Sequence, residues 1–121
     1  MAVERRQTNS ERRRAARIPF IAAVKQKVGN DVRLGLALNL GLGGIALRLA
    51  PGEQLKARTS IQLAFDLPDG GDLVSITGVV MFSTQCGAYQ TSGIKFENIS
   101  PDVRSRIQAL IGDETSVLVA V

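Results

Sequence analysis

The chain has 121 residues, of which 45% are hydrophobic and 21% are charged, a balance typical of one soluble globular domain. It contains no histidine and one cysteine, Cys86, which excludes the common hydrolase triads, His-bearing zinc sites and intramolecular disulfides. No apolar run reaches membrane-spanning length, so we expect a cytoplasmic protein without membrane insertion. We further expect a binding protein and not an enzyme, with no metal and no cofactor.

The positive charge is concentrated at the N-terminus. The net charge is +4, and residues 1–17 alone hold six Arg and two Glu. The other nine Lys and Arg residues are balanced by nine Asp and Glu residues, so the body of the chain is neutral. Such an arm is either a solvated tail or a clamp for an anion, and the clamp is favoured because the arginines lead directly into a strand. We expect residues 1–11 to form a flexible basic arm.

Six stretches with the character of β-strands follow the arm. They cover residues 18–28, 32–38, 45–50, 59–67, 73–83 and 89–96. The second stretch alternates like a half-buried strand, with one apolar face made of Val32, Leu34, Leu36 and Leu38. Gly78, inside the fifth stretch, predicts a bulge or a close approach of another strand. Asp66, Asp69 and Asp72 cluster around the preceding turn, where carboxylates are usually solubilising.

The spacing of apolar residues changes from the alternation of a strand to the spacing of a helix only near the end of the chain. Ser100-Pro101-Asp102 has the order of an N-cap, a first-turn proline and a first-turn acid, and Gly112 has the position of a C-cap glycine. Between them lies one apolar helical face, made of Val103, Ile107, Leu110 and Ile111. We therefore predict a mainly β fold, with six antiparallel strands closed into a barrel and a C-terminal helix. For the apolar tail at 113–121, packing on the barrel and an oligomer contact both remain open.

Two stretches carry the functional signal. The first is Arg13-Arg14-Ala15-Ala16-Arg17, preceded by Arg12, and planar guanidinium groups pair well with phosphates and guanine edges. The second is Asn39-Leu40-Gly41-Leu42-Gly43-Gly44, a turn of small residues that lets a ligand approach the backbone. Together they predict a site for a compact anionic nucleotide.

These two stretches resemble the signatures of PilZ domains, the bacterial receptors for cyclic di-GMP. The first is similar to RxxxR, and the second is similar to (D/N)xSxxG, except that Gly41 stands in place of the family's serine. The resemblance covers roughly residues 11–111, and both motifs in this order, followed by strands, are fairly specific. It implies a PilZ-type six-stranded barrel, which we assign to residues 12–112.

The resemblance also implies a set of ligand residues: Arg12, Arg13, Arg14, Arg17, Asn39, Gly41, Gly43 and Gly44. Arg13 and Arg17 are expected to hold guanine edges and phosphates, while Gly44 keeps the turn open. Asn39 is expected to accept from guanine through one amide oxygen, more weakly than the carboxylate of many relatives. Gly41 removes a hydrogen bond typically worth about 0.5–1.5 kcal/mol. An arginine before RxxxR, here Arg12, favours a stacked pair of dinucleotides in relatives that have one.

The resemblance predicts a single-domain cyclic di-GMP receptor that signals to an unidentified downstream protein through a change of its surface and arm. Asn39 and Gly41 keep a second interpretation open, in which a degenerate PilZ domain without nucleotide binding acts as an adaptor in motility or pilus assembly. A nucleic-acid-binding barrel is disfavoured, because the body is neutral and aromatic residues make up only 4% of the chain.

Overall fold

The computed structural model describes residues 17–112, which form six strands and one helix. The elements are β1 (Arg17–Val28), β2 (Asp31–Gly41), β3 (Gly44–Arg48), β4 (Ser60–Phe65), β5 (Val74–Cys86), β6 (Tyr89–Glu97) and α1 (Pro101–Gly112). The strands close into a barrel in the order β1-β2-β3-β6-β5-β4, and every pairing is antiparallel. This confirms the predicted barrel with a C-terminal helix. The predicted arm, residues 1–11, and tail, residues 113–121, lie outside the described residues.

The core fills the barrel and continues under the helix. Inward-facing aliphatic side chains from all six strands are buried, and Phe20 and Phe65 meet edge to face with ring centroids 5.8 Å apart. Each fully buried side chain of this kind contributes about 1.5–3 kcal/mol to folding. Gly78 permits a close approach, because a Cβ there would lie 2.6 Å from Ile94 Cγ2 and 2.8 Å from the Lys95 carbonyl oxygen. Within residues 17–112, no helix has the length and apolar character needed to cross a membrane.

The predicted apolar face of β2 does not point into the core. Val32 and Leu34 are 56% and 64% exposed, whereas Ala37 and Leu40 are fully buried. The inner face of this half of β2 is instead filled from β1, because the buried side chain of Gln26 reaches across to Gly35. A Cβ at Gly35 would lie only 2.8 Å from Gln26 Nε2, so a large inward residue has no space there.

The helix is held by its N-cap and by its buried apolar face, both of which the sequence predicts. Ser100 caps it, since the Ser100 hydroxyl accepts a hydrogen bond from the Val103 N–H over 3.2 Å. Its buried face consists of Val103, Ile107 and Ile111, with Leu110 partly buried, as the apolar pattern predicts.

An ion pair joins the helix to the turn between β4 and β5. Both Arg106 Nε and Arg106 Nη2 donate to the Asp69 carboxylate over 2.9 Å, and the Gly71 N–H donates to it over 2.9 Å. The Arg106 guanidinium and, secondly, the Gly71 N–H hold the pKa of Asp69 well below its usual value of 3.8. Asp69 therefore has a structural role and is not simply a solubilising residue.

This ion pair predicts a pH-dependent contribution to stability. The pKa of Asp69 is lower in the folded than in the unfolded chain, so its stabilising effect is complete above the unfolded value of 3.8 and is lost as the pH falls below it. We expect Asp69→Asn to lower the free energy of unfolding at about pH 7, and the effect should shrink as the pH falls from 3.8 towards the lower pKa of the folded state, so that it is smaller at about pH 2. Denaturant unfolding at both pH values measures the difference.

The matched control is Asp66→Asn, which removes an exposed carboxylate from the residue that directly follows β4, near the same turn. It should change stability little at either pH. An Asp69→Asn effect of equal size at both pH values would contradict the assignment of this ion pair.

Candidate ligand pocket

The two sequence motifs meet because β1 and β2 pair antiparallel. The register places Arg17 opposite Gly41 and Pro19 opposite Asn39. Their neighbours Ile18 and Leu40 point into the core, so Arg17 and Asn39 stand on the outer face of the barrel. Arg17 Nη1 donates a hydrogen bond to Asn39 Oδ1 over 3.0 Å.

This hydrogen bond fixes the orientation of the Asn39 amide. A guanidinium group can only donate, so Asn39 must turn its oxygen toward Arg17 and its NH2 group away. The motif predicts that Asn39 accepts a hydrogen bond from guanine, but the Asn39 amide oxygen already accepts one from Arg17. The arginine and the amide can therefore both offer donors to a ligand, which suits phosphate oxygens and the N7 and O6 acceptors of guanine.

Beside Asn39, a row of paired residues crosses the outer face of the barrel. Asn39 lies opposite Ala46, Ala46 opposite Gly93, and Gly93 opposite Phe82. The small residues at 46 and 93 form a low floor between the polar pair on one side and the aromatic ring on the other. This depression is a pocket of about 380 Å³, lined by Arg17, Asn39, Gly43, Ala46, Met81, Phe82, Gly93, Ile94 and Lys95.

The aromatic wall of the pocket depends on Gly93. A Cβ at this position would overlap the Cε2 and Cζ atoms of the Phe82 ring, so the ring lies directly over the glycine. A register shift between Val80 and Phe82 leaves both Met81 and Phe82 more than half exposed. An exposed ring at the wall of a polar pocket can stack on a planar base.

The electrostatic character of the pocket is positive. Arg17 and Lys95 line it, and no carboxylate does so among the residues of the described range. Neither cation forms an ion pair with any residue between 17 and 112. The pocket is therefore suited to an anion.

The glycines of the second motif have different surroundings. Gly43 is exposed and lines the pocket, with open space where a Cβ would stand. Gly44 is buried, and a Cβ there would overlap the Ile94 carbonyl oxygen and lie 3.2 Å from Arg17 Nη2. The close approach of β6 therefore requires glycine at 44, whereas Gly41 is a buried residue at the end of β2 that does not line the pocket.

The structure thus brings together three of the eight predicted residues, Arg17, Asn39 and Gly43. Arg12, Arg13 and Arg14 lie outside the described residues. Sequence reasoning missed Phe82 and Lys95, because their place in the pocket depends on the pairing of β6 with β3 and β5. The only local signal is an apolar run, residues 79–82, that breaks the alternation of β5.

Comparisons with known proteins agree on the fold. The family model described as the PilZ domain matches residues 11–113, and no curated protein matches the chain. The inhibitor of motility MotI/DgrA from Bacillus subtilis superposes with a TM-score of 0.74 at 18% identity, covering 87% of this chain and 54% of MotI. The PilZ domain of Escherichia coli YcgR with c-di-GMP gives 0.72 at 18% identity, with coverage of 88% and 94%.

A third solved structure, the MrkH–c-di-GMP complex from K. pneumonia, has a TM-score of 0.69 at 19% identity and covers 90% of this chain. This chain spans about half the length of MotI and of MrkH, 54% of each. At these identities the superpositions establish the barrel and its helix.

The packing of Phe82 on Gly93 predicts a coupling between the two residues. Gly93→Ala should cost about 1–3 kcal/mol of stability, because the new methyl group displaces the ring. In a Phe82→Ala background the same change should cost close to nothing, since the three atoms nearest to the added Cβ all belong to Phe82. A double-mutant cycle by denaturant unfolding measures the coupling. Equal costs in both backgrounds would show that the ring does not occupy this position.

Proposed function

This chain belongs to the PilZ domain family, and we propose that it is a receptor that binds cyclic di-GMP in the pocket between Arg17 and Phe82. The observation that carries the proposal is the hydrogen bond of 3.0 Å between Arg17 and Asn39. It joins the two family motifs at the edge of a pocket that no carboxylate of residues 17–112 lines. The fold is shared with the PilZ domain of YcgR, a protein whose structure was solved with c-di-GMP.

The pocket supplies a distinct contact for each part of the ligand. Arg17 and the Asn39 amide would donate to the N7 and O6 atoms of one guanine, and Phe82 would stack on a base. Lys95, on the β6 side, would attract a phosphate as a point charge. The low floor at Ala46, beside the Phe82 ring that covers Gly93, lets a planar base lie close to the sheet.

The arginine cluster would complete the site from the N-terminal side. Arg12, Arg13 and Arg14 precede β1 directly, so a dinucleotide beside Arg17 would supply the anion that such a cluster requires. Binding would then change the outer surface and the arm, and a downstream protein would respond to that change. Arg12 would add the charge that favours a stacked pair of ligands.

Calorimetric titration with cyclic di-GMP tests the proposal and also gives the stoichiometry. We expect Arg13→Ala and Arg17→Ala to weaken binding about tenfold or more, because each removes a charge-assisted contact worth about 1.5–3 kcal/mol. Arg5→Ala and Arg6→Ala, which remove the same charge outside the motif, should have a smaller effect. Equal effects of all four changes would mean that the arm acts only through its total charge. A folded wild type without binding would favour the degenerate adaptor.

A second prediction concerns the missing serine. Among residues 17–112, the glycines with positive φ are Gly29, Gly52, Gly70 and Gly87, so a serine at position 41 does not require unusual backbone geometry. Although Gly41 itself does not line the pocket, it pairs with Arg17, so a side chain at this position would stand on the outer face beside Arg17. Gly41→Ser should therefore strengthen binding of cyclic di-GMP by about 1 kcal/mol, roughly fivefold, by restoring one hydrogen bond. The gain should disappear in Arg13→Ala or Asn39→Ala backgrounds.

The same variant should show no gain for a single-stranded oligonucleotide, which is the control ligand. A folded Gly41→Ser variant that binds cyclic di-GMP more weakly than wild type would overturn the alignment of the second motif. A wild type that does not bind, converted into a binder by this change, would identify the natural protein as the degenerate adaptor.

A further inference from the structure

A second depression lies on a different part of the barrel wall, across β1, β4 and β5. Two rows of paired residues form it: Lys25 with Ala64 and Ser75, and Lys27 with Gln62 and Thr77. It has a volume of about 400 Å³, and Asn98 closes one end. We call this depression the lysine groove.

The two lysines of the groove have no counter-charge in the part of the chain that the structure describes. No ion pair to Lys25 or Lys27 is formed by any of residues 17–112. The carboxylate in register with this surface is Glu97 on β6, which lies three strands from Lys27, beyond Gln62 and Thr77. Two like charges on one face of a strand repel each other, so an acidic ligand would relieve an existing repulsion.

An apolar edge runs beside the lysines. Leu34 lies opposite Lys25 and Val32 opposite Lys27, and both are more than half exposed. These are the β2 residues whose alternation is typical of a core-facing strand, yet they stand in solvent. The surface therefore combines two exposed apolar side chains, two unpaired cations and a polar floor.

We propose that the lysine groove and its apolar edge bind an extended, acidic and apolar segment of a partner protein. Lys25 and Lys27 lie two residues apart on a strand, a repeat of roughly 6.6–6.8 Å. The side chains of an extended peptide repeat at the same interval, so carboxylates at alternate positions would match both lysines. Apolar side chains elsewhere in the same segment would contact Val32 and Leu34. Gln62, Ser75 and Thr77 would form hydrogen bonds with the peptide's main-chain groups.

A protein segment fits this surface better than an anionic membrane does. A lipid surface would have to accommodate Asp31, whose side chain is 72% exposed at the tip of the same hairpin. The floor of the groove is made of hydroxyl and amide groups, which would lose water against lipid without gaining partners. The groove and the ligand pocket share no lining residue, so both can be occupied at once.

Peptide display on the full chain tests the proposal even though the partner protein is unidentified. Short random peptides are selected on the wild type and counter-selected on a Lys25→Glu/Lys27→Glu variant. We expect the enriched peptides to carry Asp or Glu at alternate positions, together with apolar residues. A synthetic copy of an enriched peptide should bind the wild type at least about tenfold more tightly than the Lys25→Glu/Lys27→Glu variant, because both charges are reversed in that variant. Val32→Thr/Leu34→Thr should also weaken it.

Two controls make the test specific. Lys56→Glu/Arg104→Glu makes the same change of charge at exposed positions outside the groove and should leave peptide binding intact. Lys25→Gln/Lys27→Gln removes the charges without reversing them and should weaken binding less than reversal does. Thermal unfolding confirms that each variant is folded.

Several results would overturn the proposal. One is that no peptide distinguishes the wild type from the Lys25→Glu/Lys27→Glu variant, and another is that the enriched peptides lack acids. Vesicles of an anionic phospholipid that sediment with the wild type but not with the variant would assign the surface to a membrane. A dimer that dissociates only in the variant would assign it to a second copy of this chain.

Discussion

The register between β1 and β2 is the constraint on which the ligand pocket depends. Ile18 lies opposite Leu40, and burial of both in the core holds the two strands in this register. With those two residues inside, Arg17 and Asn39 must stand outside, close enough for the hydrogen bond between them. A slip of one residue would turn Asn39 into the core and leave Arg17 without its partner. Hydrophobic burial inside the barrel thus positions polar groups outside it.

The pocket is also the place where the regular alternation of the barrel breaks. Register shifts occur in β1 between Pro19 and Ala22, and at the β2–β3 pairing between Ala37 and Asn39. A third shift, between Val80 and Phe82, lies at the other end of the same row. Each shift changes the direction of a side chain next to the floor. These register shifts therefore produce a concave site on the convex outer wall of the barrel, while the packing of the core stays regular.

Much of this fold could be predicted from the sequence, because local patterns report local structure. The alternating pattern of β3 agrees with the burial of both Ile45 and Leu47, and the cap at Ser100 identified where the helix begins. The same alternation failed for Leu34, since a period of two separates the faces of a strand without saying which face meets the core. Which face of β2 meets the core depends on another strand, because the Gln26 side chain of β1 reaches across to Gly35.

The candidate site was predictable only where a motif is contiguous in the sequence. Asn39 and Gly43 lie in one short stretch, and Arg17 belongs to a recognisable arginine pattern. Phe82 and Lys95 enter the pocket through pairings between β3, β5 and β6, which no local pattern specifies. The role of Asp69 was missed for the same reason, because its partner Arg106 lies on a helix that forms much later in the chain.

The two outer surfaces are connected by two strands. One is β1, which contributes Arg17 to the ligand pocket and Lys25 and Lys27 to the lysine groove, and which is held between them by the buried side chains of Phe20 and Val24. The other is β5, which contributes Ser75 and Thr77 to the lysine groove and Phe82 to the ligand pocket. Between them this strand is fixed by its inward side chains, since Ile76 and Val80 are almost completely buried. Close-packed cores deform little, so a ligand that displaces the Phe82 ring has no easy path to the groove through β5. We therefore expect the two surfaces to bind independently. A signal from the pocket would have to leave by the N-terminal segment that ends at Arg17, where the chain enters the barrel.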